Sequence, residues 1–145
     1  SRAAAVLERF KLTGSGNVFE QEMFQRILVE ARIFVSPYGS GVYSWKDFEA
    51  IFAGCVLVKP KADYITTYGF DIYEPGKFCI ECRPDFSDLP EIIERVMSDI
   101  ETWAAFAARA REAIYAACDR DRYATDLVAF FREVETKASD FGQTA

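Results

Sequence analysis

The apolar positions of this chain change their spacing several times. Met23, Phe24, Ile27 and Leu28 recur three and four residues apart, which predicts a helix over 19–31. Arg32-Ile33-Phe34-Val35 follows as a short apolar run and reads as a buried strand. Pro37, Gly39 and Gly41 then supply turn chemistry, and Phe48, Ile51 and Phe52 form the apolar stripe of a short helix over 44–53. A second apolar run, 55–58, reads as another buried strand before Lys59-Pro60. Strand, helix and strand in immediate succession are the β-α-β unit of a parallel sheet.

The flanking regions continue the alternation. Residues 3–11 read as a short helix, and Thr13-Gly14-Ser15-Gly16-Asn17 as a flexible joint that lets segment 1–17 dock apart from the body. Between 59 and 71, Pro60, Asp63, Tyr64, Thr66, Thr67, Tyr68 and Gly69 mix breakers with hydrogen-bonding side chains, as a loop that reaches over a ligand would. Residues 72–76 read as a turn and 77–82 as a strand with Phe78 and Ile80 on one face. Asp88 stands as an N-cap before Pro90 and Glu91, opening a helix through Ile92, Ile93, Val96 and Met97. From Asp99 an alanine-rich helix carries Trp103, Phe106, Ala107, Ala110, Ile114 and Ala117 at helical spacing, which reads as a core stripe. A last helix, about 123–137, presents Leu127, Val128, Phe130, Phe131 and Val134, and the tail after Ala138 is expected to fray.

Composition narrows the function classes. With 145 residues, half of them hydrophobic, the chain can bury one substantial core, so a single domain over 1–145 is expected. A net charge of −6 argues against nucleic acid and anionic membranes as general partners, so any phosphate site must be local. No apolar run approaches the ~20 residues of a membrane span, and the N-terminus lacks the order of a secretion signal; the expected location is the cytoplasm. The chain has no histidine, which removes the commonest general base and every Ser-His or Cys-His nucleophile. It also leaves Cys79 and Cys82, the pair with metal-motif spacing, short of the four ligands a structural zinc site needs. No metal and no cofactor are expected.

Segment 36–60 carries the most chemistry. Gly39 and Gly41 permit close approach of a ligand to the backbone. Ser44 stands where an N-cap hydroxyl would start the helix, with Asp47 three residues on as an acidic variant of the capping box. A strand end, a glycine-bearing turn and a helix start put amides and a positive helix end at the carboxyl edge of the sheet, where anions bind. Glu49 lies in the second helical turn, and its carboxylate must face either a ligand cleft or solvent.

The order Ser36, Pro37, Gly39, Gly41, Asp47, Phe48, Glu49, Ala50, Gly54 resembles the nucleotide-sugar-binding segment in the C-terminal domain of GT-B glycosyltransferases of the family-one and exostosin-like group. The strand, aspartate-leucine pair and helix of 77–97 resemble the next stretch of the same domain. The resemblance implies an α/β fold, a Rossmann-like parallel sheet flanked by helices that forms the C-terminal half of a GT-B fold, with a helical C-terminal segment. It implies that Glu49 accepts hydrogen bonds from the ribose of a nucleotide diphosphate sugar, and that the turn formed by Tyr38, Gly39, Ser40, Gly41, Val42, Tyr43 and Ser44, with Trp45, faces the diphosphate. Lys59 and Tyr64 are second-rank candidates, the lysine offsetting diphosphate charge.

Two positions depart from the family. Gly41 occupies the place of the second glutamate of the retaining branch, and Lys46 stands where relatives often carry arginine, losing the bidentate fork suited to phosphate. A whole GT-B enzyme has two such domains, so the expected reading is the donor half of a transferase, whose partner is an N-terminal acceptor domain or a separate chain. A homo-oligomer is a further expectation, since half a sheet exposes an edge. The alternative is a non-catalytic Rossmann-like binding or assembly module; fold alone does not choose between them. A flavodoxin-like or phosphate-sensing domain is a weaker third reading.

Overall fold

The computed structural model describes residues 20–39, 41–61 and 71–142, with side chains through 136. The expectations for 3–17, for Ser40 and for Asp63, Tyr64 and the rest of 62–70 lie outside the described residues. Among the described residues three short strands, β1 (Ile33–Val35), β2 (Val56–Pro60) and β3 (Cys79–Cys82), form an open parallel sheet in the order β1-β2-β3. Helix α1 (Gln21–Glu30) precedes β1, and α2 (Trp45–Ala53) crosses from β1 to β2. Helices α3 (Leu89–Ser98), α4 (Ile100–Ala117) and α5 (Arg120–Gly142) follow the sheet. The class is α/β, as the hydrophobic pattern predicts. None of the described helices is long and apolar enough to cross a membrane.

Strand alternation sorts the core. Val56, Val58, Ile80 and Cys82 point to one face of the sheet, where Ile33 and Val35 join them against Ile92, Val96, Phe106 and Ala107. Leu57 and Cys79 point to the other, with Ile51, Ile72, Tyr73, Phe78, Ala110 and Ile114. Helix α4 feeds both clusters, Phe106 and Ala107 joining one and Ala110 and Ile114 the other. A third cluster of Leu28, Ala50 and Cys55 packs α1 onto α2. Every residue of β2 is buried, so this central strand has no polar alternation in its sequence.

Local chemistry explains most of the element ends. Helix α2 stops at Gly54, whose φ of 89° is left-handed; its N–H meets the Ile51 carbonyl at 3.0 Å, and the Cys55 N–H meets the Ala50 carbonyl at 2.9 Å. Asp99 caps α4 by accepting the Thr102 N–H. Asp88 does stand before α3, with Pro90 and Glu91 in the first turn, but its carboxylate accepts the Arg83 N–H at 2.9 Å instead of capping the helix. It braces the loop between β3 and α3.

Three expectations need correction. Phe78 is not in the strand: its N–H donates to Glu74 in the turn, and the side chain packs in the cluster opposite Ile80. Two-residue alternation does not extend across a turn, so Phe78 and Ile80 do not share a face. Helix α5 starts earlier and runs past Ala138 to Gly142; Asp119 starts it by accepting the N–H groups of Asp121 and Arg122. Its apolar side chains are also largely uncovered, with Val128 and Phe131 at least half exposed.

Candidate functional site

The carboxyl ends of β1 and β2 hold a buried polar cluster inside an otherwise apolar core. Lys59 sits in β2 on the same face as Leu57, toward α2, and only 1% of it is exposed. An ammonium cannot stay in that position unpaired. Its Nζ donates to Asp47 Oδ2 at 2.8 Å and to Ser36 Oγ at 3.0 Å. Asp47 lies in the first turn of α2 and is fully buried, and Ser36 directly follows β1. The rings of Tyr73 and Tyr38 flank the ammonium, their centroids 5.0 and 6.0 Å away. Tyr38 also donates its hydroxyl to the Lys61 carbonyl.

Tyr73 completes the cluster. Its hydroxyl lies 2.6 Å from Asp47 Oδ2 and 3.1 Å from the Val42 carbonyl, and it accepts the Ser44 N–H at 3.3 Å. Burial first, then the hydrogen bond to Asp47, push the Tyr73 phenol well above its ordinary value. It therefore acts as a neutral donor. Both strong donors converge on Oδ2, and Asp47 Oδ1 is buried with no partner among the described residues.

The turn that leads into α2 stands in front of this cluster. Ser44 occupies the N-cap position with extended backbone, φ −128° and ψ 132°, yet its side chain makes no cap bond. The expected capping box is absent, because Asp47 turns inward to Lys59 instead of back to the Ser44 amide. A side chain placed on Gly39 or Gly41 would meet nothing within 4 Å among the described residues, so the turn backbone is open to approach. Val42 is half-buried, and Tyr43 and Trp45 are 45% and 80% exposed. The Tyr43 ring packs on Tyr73 at 5.0 Å, and Trp45 on Phe48 at 5.6 Å. The Trp45 and Lys46 amides belong to the helix's first turn, which lacks intrahelical acceptors.

Glu49 comes two residues after Asp47 and so leaves the helix on another side. It is half-buried and accepts a hydrogen bond from Gln21 Nε2 at 2.8 Å, across to α1. The structure thus gathers Ser36, Tyr38, Asp47, Lys59 and Tyr73 around the turn and holds Glu49 on the α1 side of the same helix. Two shallow concavities lie elsewhere. One of about 260 Å³ includes Arg32, Gly54 and Trp103 at the amino ends of β1 and β2, and one of about 330 Å³ lies against β3 beside Arg95 and Phe106. Neither reaches the 38–45 turn. Open parallel sheets bind ligands at the carboxyl ends of their strands, and the buried charges are there too, so that edge is the stronger candidate.

The cysteines behave as small hydrophobes. Cys55, Cys79 and Cys82 are buried and Cys118 exposed, all four as free thiols. Burial pushes the Cys79 thiol up to about 12 and those of Cys55 and Cys82 to about 11, which keeps them protonated and poorly nucleophilic at neutral pH. Cys79 and Cys82 also point to opposite faces of the sheet. No group of three or more potential metal ligands occurs among the described residues.

Sequence reasoning missed Tyr73, taken as a turn residue, and assigned Asp47 to the wrong partner. One signal was available: a lysine inside the apolar run Val56-Leu57-Val58-Lys59-Pro60 demands a buried acid, and the preceding helix offers Asp47. Comparison of the chain with protein-family models, with curated proteins and with solved structures finds no match in any of the three.

Proposed function

We propose that this chain carries the donor-binding domain of a GT-B-type glycosyltransferase, acting in the cytoplasm on a nucleotide diphosphate sugar together with an acceptor domain or partner chain. The single observation that carries the reading is the pairing of the Ser36–Gly54 motif with a buried Lys59–Asp47 cluster that braces the motif's turn at the carboxyl edge of a parallel sheet. Phosphate oxygens would meet the turn and first-turn amides of α2, whose positive end favours anions. The base would find exposed aromatic surface on Tyr43 and Trp45. Glu49 would exchange its bond from Gln21 for bonds from the ribose hydroxyls. Lys59 would act from within, since its charge is already balanced by Asp47. Transfer would rest on stabilisation of the departing nucleotide diphosphate by amides held in place beforehand.

The Gln21 bond to Glu49 favours a second reading, a non-catalytic Rossmann-like binding or assembly module in which Glu49 only joins α1 to α2. A thermal-shift panel of nucleoside diphosphates separates the two. Under the first reading one nucleotide raises the melting temperature, because a ligand specific for the folded state stabilises it by mass action, and Glu49→Ala removes most of the shift. No response to any nucleotide, or the same response in the variant, selects the module.

A further inference from the structure

The turn that would receive the diphosphate has little of its own to hold it. Ser44 makes no side-chain cap, and Gly39 and Gly41 face open space among the described residues. The turn's first residue, Tyr38, is tied to the Lys61 carbonyl, and at the helix end the hydroxyl of Tyr73 reaches the turn from the body of the protein. A phenol has one proton, and the charged Asp47 oxygen at 2.6 Å takes it in preference to the Val42 carbonyl at 3.1 Å. The phenolic oxygen is left to accept the Ser44 N–H. Asp47 is itself immobilised by Lys59, and Lys59 by Ser36, whose own N–H is bonded to the Val58 carbonyl at 2.9 Å. A continuous chain of hydrogen bonds therefore runs from the sheet through Ser36, Lys59, Asp47 and Tyr73 to the Ser44 amide.

We infer that Tyr73 is the positioning residue of the donor site: its hydroxyl carries the fixed geometry of the Lys59–Asp47 pair to the backbone at Ser44, and so sets the neighbouring amides of the turn and of the first turn of α2 that meet the nucleotide diphosphate. The inference rests on the function proposed above and adds to it a residue outside the 36–60 motif. A turn held this way has already lost the freedom that binding would otherwise remove, so the ligand gains affinity with no contact to Tyr73 itself.

The test compares two variants of the full chain by calorimetric titration with UDP and GDP. Tyr73→Phe keeps the ring against Tyr43 and Lys59 and deletes only the hydroxyl. Val96→Ala destabilises the chain from the cluster on the opposite face of the sheet, away from the turn. For whichever nucleotide binds the wild type, Tyr73→Phe is expected to lower affinity about tenfold or more, while Val96→Ala stays within about twofold despite a lower melting temperature. Wild-type affinity in Tyr73→Phe overturns the inference, and so does a loss in both variants that tracks their melting temperatures. A wild type that binds neither nucleotide overturns the proposed function, and this inference with it. Should Tyr73→Phe fail to fold, hydrogen exchange on the wild type decides: the Ser44 amide must be protected, and exchange at the rate of an open turn removes the link on which the inference depends.

Discussion

Replacing Lys59 by methionine tests whether the charge pair at the end of β2 holds the fold together. Two unit charges 2.8 Å apart attract by about 6 kcal/mol at an effective dielectric constant of about 20. Removing the ions from water costs several kcal/mol each, so the intact pair contributes little net stability. Loss of one partner is another matter. Lys59→Met leaves a fully buried carboxylate with only Tyr73 to donate to it, and such half-broken pairs cost about 3–5 kcal/mol. Against a total of about 5–15 kcal/mol, that lowers the melting temperature by roughly 10–20 °C. Asp47→Asn should cost a similar amount by stranding the ammonium. The double variant Lys59→Met/Asp47→Asn, with no buried charge and nearly the original volume, should recover at least about 2 kcal/mol over the sum of the singles. Urea unfolding followed by tryptophan fluorescence gives all three numbers, since Trp103 packs against one of the two core clusters. Single variants that lose under about 1 kcal/mol, or a double variant that is simply additive, would refute the reasoning.

Gln21→Ala frees the Glu49 carboxylate from its present donor; at about 1 kcal/mol for one hydrogen bond, nucleotide affinity should rise roughly fivefold, and a fall would show that Gln21 itself takes part in binding. One thiol in four, Cys118, should react with a disulfide reagent at pH 8 before unfolding; fast reaction of Cys55, Cys79 or Cys82 would contradict their burial. These three buried thiols and the Tyr73 phenol all have folded values raised by burial. Their contribution is therefore complete below the ordinary thiol range near pH 9 and lost as pH climbs toward about 11 and 12. Melting temperature should fall steeply over that window, and a flat profile to pH 11 would refute the assignment.

The β-α-β unit was legible because local signals agreed. Two apolar runs too short for helices flanked an amphipathic stretch ending at Gly54, and the structure follows that order. The starts of α3 and α4 were legible too: Asp99 caps α4 as its position suggests, whereas Asp88 stands before α3 but spends its carboxylate on the Arg83 N–H. Sequence failed where a side chain's partner is distant in the chain. Asp47 fits a capping box by spacing, yet the demand of a buried ammonium twelve residues later outweighs one exposed cap bond. Tyr73 lies 26 residues from Asp47, beyond the reach of any periodicity. Glu49 was placed on the correct helix, but spacing alone could not reveal Gln21 as its neighbour.

On the function proposed above, the 38–45 turn binds phosphate and is braced from beneath by Tyr73, Asp47 and Lys59. Backbone amide shifts recorded by NMR while UDP or GDP is titrated into the chain check this residue by residue. The largest changes are expected at Gly39, Gly41, Ser44, Trp45 and Lys46, with Glu49 responding as its bond to Gln21 is exchanged. Shifts centred instead on Arg32, Gly54 and Trp103 at the opposite edge of the sheet, or none with either nucleotide, would contradict it.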